Sequence, residues 1–97
     1  MRYDELKYGD KTYTNEKKIE EVLKQNGFNW LVDSEVEKAK LEIKKDTLIW
    51  HNGTFQFGKW KYGIFKEGTF NGTWESGIFE PGEAYFKGKW NGGIKFW

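Results

Sequence analysis

Ninety-seven residues, 11.5 kDa and no cysteine allow one small domain, held together without disulfides or thiolate metal sites. Sixteen Lys and Arg against fifteen Asp and Glu leave a formal charge of +1, which excludes an acidic nucleic-acid mimic and a strongly basic nucleic-acid wrapper. Only 37% of residues are hydrophobic but 20% are aromatic, so rings carry the apolar surface, and runs such as Trp30-Leu31-Val32 and Leu48-Ile49-Trp50 are too short to span a bilayer.

The chain opens with Tyr3, Tyr8 and Tyr13 around turn-like Gly9-Asp10, which reads as a loop or short hairpin. Thr14 or Asn15 then supplies an N-cap, and Ile19, Val22 and Leu23 form one apolar stripe at helical spacing. Glu20 and Lys24 add a supporting i,i+4 pair, and Asn26-Gly27 ends the helix. Phe28, Trp30 and Val32 alternate as a strand would. Ser34-Glu35-Val36-Glu37 matches a helix capping box, whereas Ala39, Leu41 and Ile43 alternate with charges. The favoured reading is a strand over 38–44, a turn at Lys45-Asp46 and a second strand through Leu48-Ile49-Trp50.

The chain changes character near residue 49. Residues 1–49 hold two of the twelve glycines and five of the nineteen aromatics, and 50–97 hold the rest. We therefore divide it into a helix-containing cap, 1–49, and an aromatic/glycine repeat region, 50–97, within one compact unit. Three segments superpose: Gly58-Lys59-Trp60, Gly72-Thr73-Trp74 and Gly88-Lys89-Trp90, with tryptophans 14 and then 16 residues apart. Each precedes a related Gly63-Ile64-Phe65, Gly77-Ile78-Phe79 or Gly93-Ile94-Lys95. An aromatic recurs about every five residues. Strand side chains alternate with period two, so the chain must bend between rings that share one interior. Turn residues are present at His51-Asn52-Gly53, Lys66-Glu67-Gly68, Glu75-Ser76-Gly77, Glu80-Pro81-Gly82 and Asn91-Gly92-Gly93. Phe55-Gln56-Phe57-Gly58-Lys59-Trp60 carries one extra residue relative to Phe70–Trp74, a candidate bulge.

The pattern aromatic-x-Gly-x-Trp-x-x-Gly, best seen at Phe70–Gly77 and Phe86–Gly93, resembles the MORN repeat over residues 55–97. MORN units are longer, and their second Gly-x-Gly strand is absent here. The five-residue beat also resembles pentapeptide-type β-solenoids. The expected fold is α+β: one N-terminal helix packed on an antiparallel β-meander of MORN-like repeats, with a short β-solenoid as the alternative. The resemblance implies a non-catalytic platform for protein contacts or dimerisation, in some cases lipid contact.

Chemistry is sparse. His51, the single histidine, reads as a turn residue, and no cluster has metal-ligand spacing. Nucleophile–base pairs and phosphate loops have no matching pattern. Glu75, Glu80 and Glu83 read as solubilising, and Asn52-Gly-Thr54 and Asn71-Gly-Thr73 as turns rather than glycosylation sites. No catalytic residue, cofactor or metal is assigned, and no enzyme activity is expected. Lys59-Trp60-Lys61 and Lys87-Gly-Lys89-Trp90 would suit base stacking with phosphate contacts, but the favoured reading makes the tryptophans core and the lysines solvated. A glycan-binding reading, rings stacking on sugars, is the other alternative. Candidate partner contacts are Lys59, Lys61, Tyr62, Lys87 and Lys89. Ile94, Phe96 and Trp97 form the expected homodimer interface. No apolar leader follows Met1, so a cytoplasmic protein off the membrane is expected. Small size, two alanines and Lys/Asn/Ile/Phe-rich usage suggest a phage or mobile-element accessory protein that inhibits or adapts a host complex, including a host-defence system.

Overall fold

The computed structural model describes residues 2–95. Its fold is α+β. The first half builds a cap from local signals. Strands β1 (Tyr3–Tyr8) and β2 (Lys11–Tyr13) form an antiparallel hairpin across Gly9-Asp10. Helix α1 (Glu16–Gln25) begins where the Asn15 side chain accepts a hydrogen bond from the Lys18 N–H at 3.1 Å. It ends in a Schellman motif: Phe28 N–H donates to Leu23 O at 2.9 Å and Gly27 N–H to Lys24 O at 3.2 Å, with Gly27 at φ +84°. Ile19, Val22 and Leu23 are buried as the stripe predicts, and α1 packs against β1.

Phe28, Trp30 and Val32 do not form a strand. Residues Asn29–Val32 are a short helix, α2, and the apolar period is three: Phe28 and Leu31 are buried together. The Schellman turn leaves the chain helical in direction, and burial of Leu31 outweighs the local alternation.

Strands β3 (Glu35–Lys44) and β4 (Thr47–Phe57) form an antiparallel hairpin. Its two-residue loop, Lys45-Asp46, has φ of +48° and +65°, the backbone of a type I′ turn. Val36, Ala39, Leu41 and Ile43 face the core. The odd step from Val36 to Ala39 is absorbed by a bulge at Lys38, φ +54°. β1 adds to β3 in parallel. The chain crosses position 49–50 within β4, so cap and repeat region share one sheet.

From β4 onward the chain coils. The remaining strands are β5 (Lys59–Trp60), β6 (Ile64–Phe70), β7 (Thr73–Trp74), β8 (Ile78–Phe86), β9 (Lys89–Trp90) and β10 (Ile94–Lys95). β4, β6, β8 and β10 stack in parallel, and so do β5, β7 and β9. The expected antiparallel meander is therefore corrected to parallel coils, the short-solenoid alternative. Each coil bends three times and returns the chain to its starting direction one strand further along, so like residues stack. His51-Asn52-Gly53, Lys66-Glu67-Gly68 and Glu80-Pro81-Gly82 are likewise not free turns. They lie inside β4, β6 and β8. Gly53 and Gly68, at φ +112° and +107°, redirect the chain within β4 and β6, whose mutual pairing resumes in the same register at Thr54 and Thr69.

The register explains the uneven tryptophan spacing. Trp50 pairs with Phe65 and Phe55 with Phe70, but Trp60 pairs with Trp74, one residue fewer per coil. The extra residue falls between Phe55 and Gly58: on β3, Val36 pairs with Phe55 and Glu35 with Phe57, so Gln56 is left unpaired, and Phe57 beside it is 70% exposed. Phe65 pairs with Phe79 but Glu67 with Glu83, so two residues are added at the next coil's bend.

Candidate functional site

The rings form three inward columns. Trp50, Phe65 and Phe79 stack on one side, with centroids 5.2 and 5.4 Å apart. Phe55, Phe70 and Phe86 stack on the second at 4.8 and 5.3 Å. Trp60, Trp74 and Trp90 stack on the third at 5.2 and 5.4 Å. Between columns the rings meet edge to face, as at Trp60–Phe65, 5.6 Å and 79°. Both geometries are the favourable ones for ring quadrupoles. Trp50, Trp60 and Trp74 are fully buried scaffold and present no ring face to solvent.

The two ends of the columns differ. At the N-terminal end α2 packs on β5, and Trp30 meets Trp60 edge-on at 5.1 Å and 71°. Tyr62 turns back onto this cap: its ring lies 5.5 Å from Phe28 and 5.6 Å from Trp30, and its hydroxyl donates to Gly27 O at 3.4 Å. At the other end, the outermost strands among the described residues are β9 and β10, two residues each. Phe86 and Trp90 are half-buried there, whereas Phe70 and Trp74 in the preceding coil are fully buried. Of the expected dimer residues, Ile94 lies in β10, paired with Ile78, and Phe96 and Trp97 lie outside the described residues.

The candidate contact lysines separate. Lys61 forms an ion pair with Glu75 of the next coil at 3.0 Å. That hydrogen bond, with the charges of Lys61 and Lys59, holds the Glu75 carboxyl below its ordinary range. Lys59 and Lys89 flank Thr73 on one outward row, in register across β5, β7 and β9. They line an open groove with Phe57, Asn71 and Thr73, floored by Gly58, Gly72 and Gly88. Lys87 is exposed in the coil beyond Asn71. Sequence reasoning missed Phe57, Asn71 and Thr73 as lining residues. The extra residue before Gly58 is the signal that marks Phe57.

His51 is a strand residue in β4 rather than a turn residue. Its Nε2 lies 2.8 Å from Glu42 Oε1, across the sheet on β3. That hydrogen bond, before any other influence, lowers the Glu42 carboxyl below its ordinary value. Among the described residues no three His, Cys, Asp or Glu side chains converge on a metal-sized site. No helix among them is long and apolar enough to cross a membrane. No protein-family model, curated protein or solved structure matches the chain.

Proposed function

We propose that the chain is a non-catalytic protein-binding module whose first partner is a second copy of itself, joined end to end across the last coil. The observation that supports this reading is the asymmetry of the solenoid. One end is covered by α2, Trp30 and Tyr62, and the other ends, among the described residues, in two-residue edge strands. Beyond β10, the 83–85 stretch of β8 has no further strand beside it among the described residues. Exposed strand edges attract another chain. A two-fold axis through this end closes both strand edges at once. A further protein, such as the host factor expected from size and composition, would use this end in the same manner.

Light scattering tests the reading. The full chain should give twice the 11.5 kDa monomer mass, and a chain ending after Gly93 should give the monomer. Equal masses for the two overturn it. The melting temperature of the full chain should also rise with protein concentration, as dimer linkage requires. A concentration-independent value counts against the dimer even if the shortened chain unfolds.

A further inference from the structure

We infer that the outward face of β5, β7 and β9 binds single-stranded nucleic acid, with Phe57 as the platform for a base and Lys59 and Lys89 as phosphate contacts. The stretch from Phe55 to Lys59 holds one residue more than its partner stretch from Phe70 to Thr73, and Gln56 is the residue left unpaired against β3. Next to this bulge the Phe57 ring stands in solvent, 70% exposed, where it adds nothing to the core. It lines the same groove as Lys59 and Lys89.

Charge lining this groove is basic. Neither Lys59 nor Lys89 makes a salt bridge among the described residues, and no acidic side chain among them lines the groove; Glu75, which feels the charge of Lys59, is paired with Lys61. The acid in register with Phe57, Glu35 on β3, lies outside the lining. Lys87 adds a third exposed cation beside Asn71. A formal charge of +1 over the whole chain conceals this segregation. Adjacent strands sit about 4.8 Å apart, so Lys59 and Lys89, two strands apart, are about 10 Å apart at the backbone with the Thr73 hydroxyl between them.

The floor decides between an extended peptide and a nucleic acid. Peptides that join a sheet need free main-chain donors and acceptors. Between β5 and β7 and between β7 and β9 they are engaged: Thr73 N–H donates to Gly58 O at 2.8 Å and Lys89 N–H to Gly72 O at 2.9 Å, so any open edge away from α2 lies at β9, two strands from Lys59. The glycine floor also offers no side-chain pockets. What remains is a ring face, ammonium groups and the Asn71 and Thr73 side chains, the contact set of sequence-tolerant single-strand binding.

Fluorescence anisotropy with a labelled oligothymidylate of about ten nucleotides at about 20 mM salt tests this. The full chain should bind. Phe57→Ala should weaken binding by about tenfold, and Lys59→Gln with Lys89→Gln should flatten the slope of log affinity against log salt by about 1.4. All three side chains are exposed, so near-ultraviolet circular dichroism should show each variant folded. Absence of binding at low salt, or variants that bind as the parent does, overturns the inference. So does equal competition by an oligoglutamate peptide, which would assign the groove to acidic protein segments.

Discussion

Trp60 and Trp74 lie face to face, with ring centroids 5.2 Å apart and planes 8° from parallel. Trp90 continues the stack beyond Trp74 at 5.4 Å and 9°. The central ring therefore touches aromatic faces on both sides, and Phe70 and Phe79 approach its edges. Trp74→Ala should lower unfolding free energy by about 3–5 kcal/mol in urea titrations, a large share of what a domain this size holds. Trp74→Phe should cost less. It keeps a ring in the column and removes an indole N–H that is buried with no acceptor among the described residues.

Two glycines of β6 and β8 should respond in opposite ways. A Cβ on Gly68 would come within 2.1 Å of the Gly53 carbonyl oxygen, and the residue sits at φ +107°. A Cβ on Gly82 would meet nothing within 4 Å. Gly68→Ala should destabilise by well over 1 kcal/mol, since both backbone conformation and coil spacing resist it. Gly82→Ala should be neutral or slightly stabilising, by restricting the unfolded chain. Thermal melts of the two variants beside the parent check the contrast.

Tyr3 is fully buried in β1, and its hydroxyl has no hydrogen-bond partner among the described residues. Burial pushes its pKa from 10.0 up to about 12, against the lowering effect of Arg2. The folded state thus holds this proton more tightly than the unfolded chain does. Its contribution is fully present below pH 10 and is lost as pH rises through about 12. Tyr3→Phe should be nearly neutral at pH 7, because it removes an unsatisfied polar group. It should stay folded better than the parent above pH 10, seen in urea midpoints measured from neutral to alkaline pH.

What the sequence determined was local. The Asn15 cap, the Ile19–Leu23 stripe and the Gly27 stop specify α1 from contacts within a turn or two, and the structure keeps them. The uneven 14- and 16-residue tryptophan intervals, and the extra residue near Phe57, were readable because the repeat supplies its own reference. Strand direction was not readable. A ring every five residues demands bends, but spacing does not encode their angle, and both a meander and a coil satisfy it. Tertiary structure decided between them by stacking Trp50 on Phe65 and Trp60 on Trp74 in parallel register. The short helix at Asn29–Val32 was hidden for a similar reason, since its period is set by what Leu31 buries against. The groove is the clearest case. Lys59 and Lys89 are thirty residues apart in the chain and become neighbours across Thr73 only once coils stack. Charge segregation of that kind is a property of registration between strands, which no single segment carries.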